Sequence, residues 1–132
     1  MIEALDQVAI AVKSLGPAVA FFRDVLGLEP SEPEDVASQG VRVVKFLVGE
    51  TSIELLEPLG PQSPISQFLE KRGEGIHHVA FRVHDLALAL AKLKRSNVPL
   101  IHETPQPGAD GKKIAFAHPK GTFGVLMEFC EG

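Results

Sequence analysis

Two hydrophobic periods take turns along this chain. Residues 4–12 (Ala-Leu-Asp-Gln-Val-Ala-Ile-Ala-Val) hold β-branched residues and no breaker, which predicts a strand. Ser14 then stands where it can cap a helix carrying Ala18, Ala20, Phe21, Phe22 and Val25 at helical spacing, stopped by Gly27. Ser31 to Asp35 reads as a loop, and Val41–Val48 and Thr51–Leu56 as two strands around the turn Gly49-Glu50. Pro58, Gly60, Pro61 and Pro64 interrupt the middle, with a short amphipathic helix over Ile65–Lys71. The plan then returns: a strand Ile76–Val83, Asp85 as cap, and a helix through Leu86, Leu88, Leu90, Ala91 and Leu93. A candidate strand Pro99–Glu103 follows, then a Gly/Pro-rich loop Pro105–Lys112. The last two strands, Lys113–Ala117 and Phe123–Phe129, flank His118-Pro119-Lys120-Gly121. Each half thus reads strand, helix, three strands, the second strand of the first half being weakly marked. The expected organisation is one domain of two modules, about 1–58 and 74–132, joined by a proline-rich connector 59–73 that acts as a fixed strap.

The two modules repeat each other in detail. Leu5 to Val12 lies over Ile76 to Val83 so that Gln7 falls on His78, an offset of 78 − 7 = 71, and Leu15 falls on Leu86. Near each module's end an apolar strand embeds one carboxylate, Ile53-Glu54-Leu55-Leu56 and Leu126-Met127-Glu128-Phe129, offset by 128 − 54 = 74. Each half therefore contributes one amide or imidazole and one carboxylate in the same order. A duplicated unit closing on itself brings Gln7, Glu54, His78 and Glu128 together, and four such groups converging make a divalent-metal site. Alternation puts Val8, Ile10, Val12 and Val79, Phe81, Val83 on the helix-facing side. Gln7, Ala9, Ala11 and His78, Ala80, Arg82 point the other way, where small alanines leave room for a ligand.

Composition narrows the classes. At 132 residues with 45% apolar and 23% charged side chains, the chain has the make-up of an ordinary globular domain. The net charge of −4, with no basic run longer than Lys92-Leu93-Lys94-Arg95, argues against nucleic acid. No apolar run approaches a membrane span and no leader pattern opens the chain, so neither membrane nor secretion is expected. The single Cys130 fits a reducing cytoplasm. No Gly-rich phosphate loop, Ser-His-Asp set or paired-cysteine zinc motif is present.

With these stretches laid out, the chain resembles the methylmalonyl-CoA epimerases of the vicinal oxygen chelate (glyoxalase/bleomycin resistance/dioxygenase) superfamily. Asp6-Gln7-Val8-Ala9-Ile10-Ala11-Val12 and Phe22-Arg23-Asp24-Val25-Leu26-Gly27-Leu28 are general to that superfamily. The combination of Glu74-Gly75-Ile76-His77-His78, Gly111-Lys112-Lys113 and His118-Pro119-Lys120 belongs more specifically to the epimerases. The resemblance implies an α+β fold of paired βαβββ modules forming a cupped mixed sheet around a metal, which is the glyoxalase-like fold. It also implies a homodimer, an acyl-CoA substrate, and one divalent ion (cobalt, manganese, nickel, zinc or magnesium). The family's metal positions fall on Gln7, Glu54, His78 and Glu128. The first is usually His in the epimerases, whereas some glyoxalase I enzymes use Gln there. Some epimerases carry a carboxylate where this chain has Val43.

The implied reaction interconverts R and S methylmalonyl-CoA by removing the α-proton through a metal-stabilised enolate and returning it on the other face. Glu128 is the first candidate base and Glu54 the second. Arg82, on the ligand face, is a candidate partner for a substrate carboxylate, with a salt bridge inside the sheet as the alternative. Lys112, Lys113 and Lys120 are candidates for CoA phosphates, each with a solvated surface role as its alternative. His118 is a turn residue whose family motif keeps a substrate role open. His77 is expected on the opposite face in a supporting role, and Cys130 as a small buried residue. Two rivals stand beside the epimerase. One is a glyoxalase I-type lactoylglutathione lyase acting on a glutathione hemithioacetal, which Gln7 favours. The other is a small-molecule-binding protein of the same fold.

Overall fold

Strand alternation sorts the side chains of each half into a helix-facing set and an opposite set, and the fold is built on that division. The computed structural model describes residues Met1–Gly132, in two compact units. One comprises Val8–His77; the other joins Met1–Gln7 to His78–Gly132. Two strands run across the divisions, β1 (Ile2–Ala11) and β5 (Gly75–Val83). The units therefore place the proline-rich connector with the first module's residues and the first seven residues with the second's.

In the Val8–His77 unit, the last part of β1 leads to α1 (Leu15–Ala20), β2 (Glu34–Val36), β3 (Val41–Val48), β4 (Thr51–Pro58) and α2 (Pro64–Arg72). The strand order is β2-β3-β4 with β1 beside β4, and Val12 N–H donates to Leu56 C=O at 2.9 Å. β3 and β4 form an antiparallel hairpin in which Val48 faces Thr51, Lys45 faces Glu54 and Val43 faces Leu56. One side of it carries Val44, Phe46 and Leu55, which pack with Val12 and Leu15 into a core completed by Ala18, Val19 and Phe22. After α1 the helix widens over Phe21–Val25, where Leu26 N–H reaches back to Phe21 C=O, and Gly27 ends it at φ +75°.

In the other unit, α3 (Leu86–Arg95), β6 (Gln106–Pro107), β7 (Lys113–Ala117) and β8 (Met127–Glu131) follow β5. The strand order is β1-β5-β8-β7-β6, with β8 parallel to β5 and antiparallel to β7. Val83, Leu86, Ala89, Leu90, Ala115, Ala117 and Phe129 form the core under α3. This mixed α+β architecture, strand–helix–three strands in each half, is the one the sequence predicts.

Three local expectations are corrected. Ser14 makes no capping bond from its side chain; the first N–H of α1, at Leu15, is instead satisfied by Glu57 Oε1 at 3.0 Å. The equivalent bond recurs in the second half, where Glu131 Oε1 accepts from Leu86 N–H at 2.7 Å, and 131 − 57 = 74 is the repeat offset of the strands. Asp85 does cap α3, accepting from Leu88 N–H at 3.1 Å. Pro99–Glu103 is not a strand. It makes a single bridge, Leu100 to Ala117, because Pro99 lacks the N–H a ladder needs and its ring packs against Gly121, where a Cβ would come within 2.4 Å of Pro99 Cδ. The last strand begins at Met127, not Phe123. Residues 119–125 close a self-bonded turn, with Gly124 N–H to Pro119 C=O at 2.8 Å and Phe123 held at φ +60°. The poorly marked second strand of the first half proves to be the three-residue β2.

Leu86 is fully buried whereas Leu88, two residues on, is mostly exposed. Leu86→Ala is expected to cost about 2–5 kcal/mol of unfolding free energy, and Leu88→Ala less than about 0.5 kcal/mol. Urea titrations of the two variants against the parent check this difference.

Candidate metal and active site

The opposite side of the strands is the unusual one. In the second unit Ala80 is fully buried there, yet polar Gln7, His78 and Glu128 of the same unit are buried too, at 4–5% exposure. β5 and β8 run in parallel with Ala80 beside Glu128 and Arg82 beside Cys130, so His78, Ala80, Arg82, Glu128 and Cys130 lie on one face. β7 sets Phe116 beside Glu128. The Phe116 ring stands edge-on to the His78 imidazole at 5.0 Å between centroids and limits how that ring can turn.

Three of the four predicted metal residues meet within one unit. Gln7 Nε2 lies 3.4 Å from Glu128 Oε2, and His78 Nε2 lies 3.4 Å from Glu128 Oε1. The imidazole edge faces the carboxylate without closing into a hydrogen bond. These separations are long for charge-assisted hydrogen bonds. They suit two donor atoms on one cation, since atoms each about 2.1 Å from a shared ion stand about 3.0–3.4 Å apart. The donor chemistry is equally apt, with an imidazole nitrogen, a carboxylate, and an amide whose oxygen and nitrogen exchange by a half-turn of the terminal torsion. The residues present therefore fit a divalent ion. Glu54, the fourth, is buried on β4 in the other unit, where Lys45 Nζ stands 3.8 Å from its Oε2.

The other predicted residues are distributed as follows. Arg82 turns to acids of its own unit, with Nη1 3.8 Å from Asp6 Oδ1 and Nε 3.8 Å from Glu3 Oε1; this is the salt-bridge alternative. Lys112 is withdrawn from solvent and donates to Asp6 Oδ2 at 2.8 Å. Lys113 and Lys120 are exposed. His118 is exposed and organises its turn, its Nδ1 accepting from Lys120 N–H at 3.0 Å. His77 packs its ring edge-on against Phe68 at 4.9 Å in the Val8–His77 unit.

Asp6 is the residue that pattern reading missed. Alternation sets it opposite Gln7, yet Asp6 is buried as Gln7 is, with Lys112 and Arg82 as its ion partners and the Cys130 thiol nearby, so burial along β1 does not alternate between Asp6 and Gln7. The signal available in the sequence was an aspartate inside an apolar strand, a residue that has to find a cation. Lys45 was missed too. Pairing outward from a two-residue turn at Gly49-Glu50 puts it directly opposite Glu54.

Residues 6–116 match the model of the Glyoxalase/Bleomycin resistance protein/Dioxygenase superfamily, and the chain belongs to that superfamily. Its relatives narrow the assignment. The uncharacterized protein YqjC of Bacillus subtilis is 46% identical over 96% of this chain and 91% of its own length. The ethylmalonyl-CoA/methylmalonyl-CoA epimerase of Cereibacter sphaeroides is 43% identical over 97% of both chains. A methylmalonyl-CoA epimerase solved in complex with methylmalonyl-CoA and NH4+ superposes with a TM-score of 0.96 at 32% identity, covering 100% of this chain and 96% of the other. Within the superfamily, the chain falls in the methylmalonyl-CoA epimerase family.

Burial, with the negative charges of Asp6 and Glu128 nearby, pushes the Cys130 thiol up to about 12. The thiolate is thus disfavoured in the folded state, and Cys130 should resist a thiol-specific disulfide reagent at pH 8 while reacting at once in denaturant. The sign for stability follows. The folded state keeps the proton, so the thiol's contribution is complete below its unfolded value near 9 and is lost as pH rises toward 12. Cys130→Ala should flatten the alkaline arm of a Tm-against-pH curve.

Proposed function

We propose that this chain catalyses the epimerisation of methylmalonyl-CoA at a site where Gln7, Glu54, His78 and Glu128 hold one divalent metal ion. The observation that carries the reading is the buried Glu128 carboxylate with the Gln7 amide and His78 imidazole each 3.4 Å from it, on a strand face lined by alanines. The repeat supplies Glu54 as the counterpart of Glu128 and Gln7 as that of His78. When bound, the ion supplies a Lewis acid for the negative charge that develops on the thioester oxygen.

The protein's own groups do the rest. Glu128 takes the α-proton from one face of the substrate, Glu54 returns a proton to the other, and exchange with water resets the pair. Val43 is apolar and buried, so no carboxylate at that position competes for the role. Phe116 and the alanines exclude water from the reacting carbon, which strengthens the fixed charges around it. Exposed Lys113 and Lys120, and His118 between them, form the basic margin assigned to the CoA phosphates. Withdrawn from solvent against Asp6, Lys112 is not part of that margin, and Arg82 lies between Asp6 and Glu3.

Gln7 in place of an imidazole is the specific observation that favours the rival lactoylglutathione lyase reaction. The family relationship and the Gly-Lys-Lys and His-Pro-Lys stretches favour the epimerase. A cytoplasmic homodimer is part of the same proposal. The single free Cys130 fits a reducing compartment, and no helix of the structure is long and apolar enough to cross a membrane. Sedimentation equilibrium is expected to give twice the chain mass.

Proton NMR of methylmalonyl-CoA in D2O with cobalt-loaded protein tests the activity. Fast deuterium uptake at the α-carbon is expected, falling at least about 1,000-fold in Glu128→Ala and in a chelated sample. A metal-loaded protein that exchanges nothing, yet isomerises a glutathione hemithioacetal, would establish the lyase instead.

A further inference from the structure

β7 is held along both edges, and on one of them a side chain stands in for a strand. Its inner neighbour is β8, which sets Phe116 beside Glu128. On the other edge β6 pairs only with Lys113 and Ile114, and residues 99–102 take over beyond it. Three bonds of that segment converge on Phe116. Its C=O accepts from Ile101 N–H at 2.8 Å and from His102 N–H at 3.3 Å, and its N–H donates to His102 Nδ1 at 3.1 Å. A β-ladder would meet that N–H with a backbone carbonyl; here an imidazole supplies the acceptor.

The bond fixes the state of His102. An imidazole nitrogen accepts only while it carries no proton, so the neutral ring bears its proton on Nε2, and an imidazolium would set N–H against N–H. His102 is half-buried, and burial lowers its pKa, which favours the same neutral form. The charged groups on the elements around it face elsewhere. Lys94 of α3 pairs with Glu103 at 2.8 Å, and Lys92, Arg95, Lys113 and Lys120 are exposed.

From Phe116 the contacts lead to the site. The His102 and Phe116 rings lie tilted at 5.8 Å, Phe116 stands edge-on to His78 at 5.0 Å, and His78 Nε2 is 3.4 Å from Glu128 Oε1. All four residues belong to one unit. A ring restricts its neighbour only while its own backbone is held, and on the edge away from β8 the Phe116 N–H is held by His102.

We propose that His102 is a positioning residue for His78, its Nδ1 lone pair holding Phe116 and so the ring that sets the direction of the His78 imidazole. This inference rests on the metal-binding part of the epimerase reading and adds to it a residue that touches neither metal nor substrate. The competing account is local, with His102 doing no more than satisfying one backbone N–H and fastening residues 99–103.

Calorimetric titration with cobalt at pH 7.5 separates the two accounts, with the thermal midpoint of each metal-free protein measured beside it. His102→Phe keeps a ring against Phe116 and removes the acceptor; His102→Asn restores an acceptor at a similar distance from the backbone. The cobalt Kd is expected to rise about 10-fold in His102→Phe and to stay within about 3-fold of the parent in His102→Asn. The local account moves the thermal midpoint alone. His102→Leu replaces His102→Phe should the latter lose the far-UV circular dichroism of the parent. An unchanged cobalt Kd in His102→Phe, or in His102→Leu where it takes that place, overturns the role of His102, and so does an equal loss in His102→Asn. Nitrogen NMR showing the ring proton on Nδ1 in the parent overturns it as well. Each of these results leaves the metal reading standing, whereas a parent protein that binds no cobalt overturns that reading and this inference with it.

Discussion

A glutamate at 5% exposure in the middle of an apolar strand is the constraint to which the rest of this site answers. Taking a carboxylate out of water costs several kcal/mol unless other groups replace its hydration. Here the replacements are an amide from β1 and an imidazole from β5, 71 positions apart in the sequence. Their positions are fixed by alternation, because Gln7 and His78 can face Glu128 only while the alternate residues of β1 and β5 keep to the helix side. Ala80, fully buried beside Glu128, keeps that polar face shallow.

The duplication is visible in the bonds as well as in the residues. Glu57 and Glu131 each cap the first N–H of the helix in their own half, at the end of the same strand that carries Glu54 or Glu128. Each of those strands thus does two jobs three residues apart. Its inner carboxylate is buried, and its outer one ties down the first turn of a helix. A shift of register by one residue would lose both together, which is a strong restraint on strand pairing.

Most of this was legible from spacing. The long strands, α2 and α3 follow from period and repeat, because both faces of these elements carry a clear apolar or polar mark, and the repeat also picked out Gln7, His78 and Glu128, which stand beside one another in one unit. The misreadings have local causes. Pro99–Glu103 has strand-like residues but begins with a proline lodged against Gly121. Phe123 and Val125 look like strand residues, yet the bonds of their turn hold them out of the ladder. Ser14 has the composition of a cap, but the cap comes from Glu57, which local sequence cannot show. Asp6 escaped notice because a two-residue period assigns it to the wrong side, and its partner Lys112 lies 106 positions away. The margin residues Lys113, His118 and Lys120 remain beyond what spacing can decide, since an exposed basic side chain leaves no mark in a hydrophobic pattern.

The departure from symmetry carries the last step of the argument. Two enantiomers of a 2-methylmalonyl group differ by exchange of hydrogen and methyl, while the carboxylate and the thioester need not move. An epimerase therefore requires proton access on two faces and firm anchors for the two groups that stay in place. In the proposed site, internal duplication provides the first requirement, one glutamate from each half. Strict duplication would not provide the second, because equivalent halves cannot tell a carboxylate from a thioester, and the repeat is accordingly inexact, with Gln7 in one half where the other has His78 and Lys45 where the other has Phe116.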